Sequence, residues 1–333
     1  MPTKTPALAA LAGASVLALT ACGGVQTSTS GGGGDDASYP SGTVEMYVGA
    51  SAGGSSDLIS RAVSKGLSDS LGGTFAVINR EGANGALAAA EIKDAKNDGS
   101  VIGIQNASLF AITPLAVKES EVTSIDDVEV VGGVSRDDYV LVTSPKSGLK
   151  DLDDIKGASK TLTYATTGVG TGAQLSCALT FETAGATSKP VPFDGGAPAL
   201  TAVLGGQVDT ACLQIGEAVE NIESGKLTPV TVFAPERIEY LKDVPTAKEQ
   251  GLDVEVYQYR FMTVPKGTPQ DVKDTIAKGM KDTFATDAYK KFNEQNSLTP
   301  MEVSGEEVTT QLEADKKRYA ELVEKYDLDL AKQ

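Results

Sequence analysis

The chain has 333 residues, with 29 basic and 45 acidic side chains and therefore a formal charge of −16. Hydrophobic residues make up 41% and charged residues 22%, which is typical of a folded protein long enough for two medium domains. The acidic balance argues against a nucleic-acid partner. The absence of histidine excludes Ser–His and Cys–His nucleophiles and histidine metal ligands.

The first residues are typical of an export signal rather than of a fold. Residues 1–21 contain a lysine followed by an apolar run too short to span a membrane. The run ends in the letters LTAC, which resemble a bacterial lipobox and predict that Cys22 is lipidated. An ordinary secretory signal with a chance cysteine is the alternative. Residues 22–38 are rich in Ser, Thr and Gly, which predicts a flexible linker ahead of a folded body.

From residue 39 onward, short apolar runs alternate with segments of helical periodicity. Strands are expected at 44–48, 75–78, 101–104, 139–142, 162–165, 191–193 and 208–211. Helices are expected at 58–71, 86–95, 272–284 and 308–326. This alternation predicts parallel sheets with right-handed crossovers, arranged as two α/β lobes, with C-terminal helices that return to the first lobe.

Three glycine-rich turns each connect a predicted strand to a predicted helix. They cover residues 49–57, 166–174 and 193–198. Glycine lets backbone N–H groups approach a ligand, and a helix N-terminus favours negative charge, so each turn is a candidate anion site. Ser55 is the expected N-cap of the first helix. The second turn also comes close to a dinucleotide-binding fingerprint, which leaves a nucleotide as an alternative ligand.

Six segments, in this order, resemble the signature loops of the tripartite tricarboxylate transporter substrate-binding proteins, also called Bug receptors. The segments are 51–57 (SAGGSSD), 79–85 (NREGANG), 166–171 (TTGVGT), 191–200 (VPFDGGAPAL), 204–209 (LGGQVD) and 264–269 (VPKGTP). The resemblance extends from about residue 39 to the C-terminus.

The resemblance implies an α/β fold like that of periplasmic binding proteins, with two α/β lobes joined by a hinge. Lobe 1 is expected at 39–140 and 258–333, and lobe 2 at 141–257, with chain crossovers near 139–142 and 257–261. The implied protein is a monomeric extracytoplasmic lipoprotein, either on the outer face of the cell membrane or in a periplasm. Its lipid anchor is its only contact with the membrane.

The implied function is capture of a small carboxylate in an interlobe cleft, for delivery to integral membrane transporter subunits. No catalysis, cofactor or metal is expected. A lipid-anchored enzyme or interaction protein on the same scaffold is the alternative. The identity of the carboxylate and the number of membranes of the host stay open.

Members of the family hold a ligand carboxylate through loop backbone groups, hydroxyls and ordered water. Phe193 and Asp194 stand where the family has a Tyr-Lys or similar pair, and Gln174 stands where many members have His. Carried onto this chain, the resemblance implies the following ligand-binding residues: Ser51, Ala52, Gly53, Gly54, Ser55, Ser56, Asp57, Asn106, Ser108, Thr166, Thr167, Gly168, Val169, Gly170, Thr171, Gln174, Phe193, Asp194 and Gly195.

Charged residues and cysteines outside these loops have simpler interpretations. Arg136 and Arg260 lie beside the expected hinge strands and are cationic candidates for ligand contact. The pair Asp137-Asp138 is expected to be a solvated helix start rather than a set of metal ligands, because no spacing matches a calcium-binding loop. Cys177 and Cys212 are either buried thiols or a disulfide, which export would permit.

Overall fold

Strands and helices alternate along the chain from residue 43 onward. The computed structural model describes residues 39–331, which belong to one compact unit. The expectations for the signal segment 1–21, Cys22 and the linker 22–38 lie outside the described residues. None of the helices within 39–331 has the length and apolar character needed to cross a membrane.

The described residues form ten strands and ten α-helices. The strands are Thr43–Val48 (β1), Thr74–Asn79 (β2), Val101–Asn106 (β3), Val128–Thr143 (β4), Leu162–Thr166 (β5), Ser188–Pro192 (β6), Thr210–Gln214 (β7), Thr228–Val232 (β8), Tyr257–Pro265 (β9) and Thr299–Pro300 (β10). The helices are Ser55–Leu71 (α1), Ala86–Lys93 (α2), Ala107–Ala111 (α3), Leu152–Lys156 (α4), Gly172–Ala184 (α5), Gly196–Gly205 (α6), Ile215–Glu223 (α7), Gln270–Ala285 (α8), Asp287–Gln295 (α9) and Gly305–Lys325 (α10).

The strands join in the order β2-β1-β3-β9-β4-β7-β5-β6, with β8 and β10 also paired to β4. The three strands β1 to β3 are parallel to one another, as are β5 to β7. The expectation of purely parallel sheets is wrong at the centre, where β9 and β4 run antiparallel to their neighbours. The physical reason is that the chain passes between the two halves in both directions, so the returning strand must run against the outgoing one.

Strand β4 belongs to both halves of the sheet. Residues 128–138 pair with β9, and residues 139–143 pair with β7. One continuous strand therefore carries the chain from the first parallel group to the second. The pair β4–β9 is the place where a two-lobed molecule would bend, and the lobe boundaries stay a prediction.

Each half has its own buried core. Met46, Ile59 and Met280 are among the residues that pack α1 and α8 on the first parallel group. Tyr164 and Leu179 belong to a second core, around α5. The last helix contributes to two clusters: its first turns pack beside β9, whereas its later residues enter the core around α5. The C-terminal helix therefore contacts more than the first lobe.

A disulfide joins Cys177 of α5 to Cys212 of β7 within the second half. Of the two states that the sequence left open for these cysteines, the structure has the bridge. Both residues are fully buried. The bridge ties a helix to the sheet on which it packs.

Candidate functional site

The first glycine-rich turn leads from β1 into α1. Gly54, not Ser55, is the N-cap of α1, and no side chain caps this helix start. Ser55 is instead the first helical residue, and its hydroxyl donates a hydrogen bond to Asp137 Oδ2 over 2.8 Å. The expected N-cap was wrong by one residue because an extended glycine can end the turn without a side-chain acceptor. The serine is thereby free to contact the central strand.

Asp57 braces the first turn from within. Its Oδ2 accepts a hydrogen bond from Gly53 N–H over 2.8 Å, and its carboxylate also contacts Arg61 and Asn79. Burial alone would raise the pKa of Asp57, but the hydrogen bonds from Arg61, Gly53 and Asn79 hold it below its ordinary value. This carboxylate is therefore charged and occupied by the protein's own groups.

The second turn, between β5 and α5, has a similar brace. Gly170 N–H donates to Gln174 Oε1 over 2.7 Å, and Gln174 Nε2 donates to Leu330 O over 3.0 Å. The N–H groups of Gly53 and Gly170 are therefore both occupied by the protein's own side chains. Side chains one helical turn farther along satisfy these two groups. Whether Asp57 and Gln174 also touch a ligand stays a prediction.

The third turn lies directly beside the second. Phe193 N–H donates to Thr166 O over 3.0 Å, so the two turns follow adjacent parallel strands. Gly195 is the N-cap of α6, and no side chain caps this helix. Asp194 is exposed. The second and third turns therefore form one edge of the second half of the molecule.

A buried arginine connects the first turn to the central strands. Arg260 of β9 is 2% exposed, and its Nε donates to Ser56 Oγ over 2.7 Å. Ser56 Oγ in turn donates to Asn106 Oδ1 over 3.0 Å, at the end of β3. Arg260 Nη1 forms an ion pair with Asp137 Oδ2 over 2.7 Å. Ser55, Ser56 and Asn106, all expected site residues, thus meet around one guanidinium group.

A second polar chain reaches the opposite half. Gln258 of β9 donates to Ser108 Oγ over 2.9 Å, and Asn84 Nδ2 donates to the same oxygen over 3.0 Å. Asn84 also donates to Gly170 O over 3.3 Å, and Thr113 Oγ1 donates to that carbonyl over 3.1 Å. The structure therefore brings the second turn into direct contact with the residues that follow β2 and α3.

Asp137 and Glu217 are charged residues of the site whose role the sequence did not indicate. The expectation that Asp137 is solvated at a helix start is wrong: it lies in strand β4 and is 1% exposed. Glu217 lies in the first turn of α7, and a Cβ built on Gly196 would overlap both its carboxylate oxygens. Burial and the negative charge of Asp137 raise the pKa of Glu217 to about 7, against the opposing charge of Arg260.

A sequence signal existed for only part of this set. Arg260 stands between Tyr259 and Phe261 in a predicted hinge strand, and a charge at such a position indicates a paired buried group. Asp137 lies in the polar run 135–138 and has no such signal. Glu217 carries no comparable signal, because an acidic residue in a first helical turn is common. Thr113 also lacks one, whereas Asn84 lies in the family-like segment 79–85.

The remaining expected residues lie around this centre with different exposure. Ser51, Ala52, Gly53 and Val169 are exposed, whereas Thr166 and Thr171 are buried. Two surface cavities of about 430 and 480 Å³ contain no residue of the three turns in their linings, and the second is lined in part by Arg136, one of the two cationic candidates. The polar groups of the two halves instead pack directly on one another.

Comparison with known proteins gives the same family from sequence and from structure. The family model described as "Tripartite tricarboxylate transporter family receptor" matches residues 59–328. The "UPF0065 protein in the TAR-I ttuE-ttuC' intergenic region" of Agrobacterium vitis is 32% identical over 258 residues, covering 73% of this chain and 72% of that protein.

Two solved structures share the fold. The periplasmic binding protein BugD is 26% identical with a TM-score of 0.79, over 87% of this chain and 99% of that chain. MatC from Rhodopseudomonas palustris, with bound malate, is 25% identical with a TM-score of 0.78, over 86% of this chain and 100% of that chain. Both are similar along nearly their whole length, so the likeness extends over both halves of the described body.

Proposed function

The chain belongs to the tripartite tricarboxylate transporter receptor family, and from this premise we propose that it captures a small carboxylate between its two lobes, outside the cytoplasm. One observation supports the proposal most strongly: polar groups of both halves converge beside β4 and β9. Ser55 and Arg260 come from the first half, and Glu217 and Gly170 from the second. A solute bound there would contact both lobes at once.

The chemistry of this place suits a carboxylate. Helices α1 and α6 begin without a side-chain cap, and an uncapped helix start attracts negative charge. Hydrogen bonds to a charged group contribute about 1.5–3 kcal/mol each, so three or four of them approach the roughly 8 kcal/mol of micromolar binding. MatC, a relative of the same fold, has bound malate. The net charge of −16 is spread over the chain and screened beyond about 8 Å.

The proposed ligand-contacting residues are those of the three turns, with Asn106 and Ser108. Among them, Ser55, Ser56, Asn106 and Ser108 are the most strongly supported, because their side chains already meet beside Arg260 and Gln258. Asp57 and Gln174 act in this proposal mainly by holding the shape of their turns.

Binding would be accompanied by closure of the lobes. Strands β4 and β9 pass between the two halves, so bending there moves the second and third turns toward or away from the first. A solute that contacts both lobes binds the closed form more tightly and shifts the population toward it. The closed form would then be recognised by membrane transporter subunits, with Cys22 supplying a lipid anchor and residues 22–38 a tether.

Titration calorimetry with di- and tricarboxylates tests this function. We expect stoichiometric binding, no chemical change of the bound acid, and a smaller radius of gyration in X-ray scattering when ligand is present. Turnover of any acid would favour the alternative enzyme. Binding with no change in shape would contradict hinge closure.

A matched pair of variants tests the site. Gly53 (φ +84°) and Gly148 (φ +77°) both adopt a conformation that favours glycine, and a Cβ on either meets nothing within 4 Å. Gly53→Val and Gly148→Val should therefore lose similar stability, whereas only Gly53→Val should weaken binding. Equal affinities of the two variants would place the ligand elsewhere.

A further inference from the structure

The proposed cleft contains a carboxylate that the protein leaves half satisfied. Asp137 is 1% exposed, and its Oδ2 accepts hydrogen bonds from Ser55 Oγ and Arg260 Nη1. Its other oxygen, Oδ1, has no hydrogen-bond partner among the described residues. A buried carboxylate oxygen without a donor is costly, so the geometry calls for a donor from outside the chain.

The second lobe supplies another such oxygen at the same place. Glu217 lies in the first turn of α7, and its carboxylate lies against Gly196, where α6 starts. Its Oε2 is shielded from solvent and likewise has no partner within the described part of the chain. The charges of Asp137 and Arg260 both act on Glu217. The two free oxygens therefore come from opposite sides of the proposed hinge.

The charge balance indicates what the missing donor is. Arg260 carries one positive charge and pairs with Asp137, so the cluster carries an excess negative charge whenever Glu217 is ionised. A carboxylate placed directly against Asp137 Oδ1 and Glu217 Oε2 would increase this excess in a region of low dielectric, whereas an ammonium group would cancel it. An ammonium group has three N–H donors and no acceptor, which matches two free oxygens that need donors.

We propose that the solute is an amino acid or a similar amino-carboxylate, whose protonated amine donates to Asp137 Oδ1 and Glu217 Oε2. Its carboxylate occupies the uncapped start of α1 and the hydroxyl groups already assigned to the ligand. This inference rests on the proposed function, because it takes the interlobe cleft as the solute site. It also gives lobe closure a cause, since an amine held by both acidic oxygens would join the two lobes.

Matched pairs of ligands test the inference apart from the function. Calorimetry at pH 7 would compare the twenty amino acids with their counterparts that lack the amine, such as aspartate with succinate and phenylalanine with 3-phenylpropanoate. We expect at least one amino acid to bind about tenfold or more tightly than its counterpart, the gain of one charged hydrogen bond. Tighter binding of the amine-free acids would overturn the inference and leave the proposed function standing. Binding of neither class would overturn both.

Two neighbouring aspartates give matched variants. Asp137→Asn keeps the side-chain shape and removes the charge, so it should weaken amino-acid binding about tenfold and leave the amine-free acids unchanged. Asp138→Asn, on the opposite face of the same strand, should change neither affinity. Glu217→Gln repeats the test from the other lobe if Asp137→Asn fails to fold. Equal weakening of both ligand classes by Asp137→Asn and Glu217→Gln would contradict an amine-specific role.

Discussion

The two faces of the β4–β9 strand pair carry the same kinds of charged group and use them differently. On one face, Asp137 pairs with Arg260 beside the turns of both lobes. On the other face, Asp138 pairs with Arg136 over 3.1 Å, and the Arg136 guanidinium lies 5.4 Å from the ring centre of Tyr257. Successive residues of a strand point to opposite sides, so neighbouring aspartates reach different environments.

The last helix packs beside the second face. Asp315 and Arg318 of α10 pair over 2.9 Å, and Arg318 also contacts Glu255 over 2.8 Å. On each face, one carboxylate oxygen of the aspartate has no hydrogen-bond partner among residues 39–331. The faces differ in what surrounds that oxygen. On the first face, the neighbouring Glu217 belongs to α7 of the second half, which bending at the proposed hinge would move relative to Asp137. A buried charge therefore points to a ligand when its surroundings come from two lobes.

Removing the two arginines should separate the faces most strongly. Arg260→Met leaves Asp137 buried without its cation and should lower the free energy of unfolding by about 3–5 kcal/mol. Arg136→Met should cost less, because Arg136 is partly exposed and burial already raises the pKa of Asp138, which favours uptake of a proton. Urea unfolding at pH 7 without ligand measures both. Equal losses would remove the distinction between the faces.

Removing the disulfide alters neither face of the β4–β9 strand pair. The 35-residue separation of Cys177 and Cys212 predicts a loss of about 4 kcal/mol when both become serine, from the added freedom of the unfolded chain. Ligand affinity should stay within about twofold of the native value, which is a change of about 0.4 kcal/mol. A large drop in affinity, measured by calorimetry at a temperature where the variant is folded, would connect stability of the second lobe to the site.

Two glycines test the contact between the lobes. Gly170 (φ +71°) and Gly185 (φ +68°) share a left-handed backbone, so alanine at either should cost about 1–2 kcal/mol in thermal unfolding. A Cβ on Gly170 would also come within 2.9 Å of Thr113 Cα, whereas one on Gly185 meets nothing within 4 Å. Only Gly170→Ala should therefore weaken ligand binding. If Gly185→Ala weakens it equally, the turn does not position the site.

The smallest expected effect is a dependence of stability on pH. The pKa of Glu217 is about 7 in the folded chain, above its ordinary value of 4.5. Because the pKa of Glu217 is higher in the folded state, its contribution to stability is fully present below pH 4.5. That contribution is lost as the pH rises through 7. Glu217→Gln should therefore reduce the fall in stability between pH 5 and 8. Glu220→Gln, at an exposed position of the same helix, should leave this fall unchanged. If stability falls as much in Glu217→Gln as in the native protein, other groups cause the pH dependence.

The sequence alone determined the local elements and the family. Short apolar runs and helical periods predicted most strands to within a few residues, because burial on a sheet or on one side of a helix demands that spacing. The six loop segments identified the family. Local backbone geometry mainly determines where glycines and small polar residues stand in a turn, so such segments can be recognised from sequence alone. Ser55 and Ser56 were named from the first segment, and Asn106 and Ser108 from their position after the third strand. The structure places all four beside Arg260 and Gln258.

Only the tertiary structure decided which charged groups meet. Asp137 and Arg260 are 123 residues apart, and their contact exists because β4 and β9 pair as antiparallel strands. Glu217 reaches them from a helix of the other half. The hydrogen bonds from Gly53 N–H to Asp57 and from Gly170 N–H to Gln174 likewise could not be predicted, since both side chains could have faced solvent. Charge and composition fix what each residue can do, but distant pairing of strands fixes its neighbours and therefore its role.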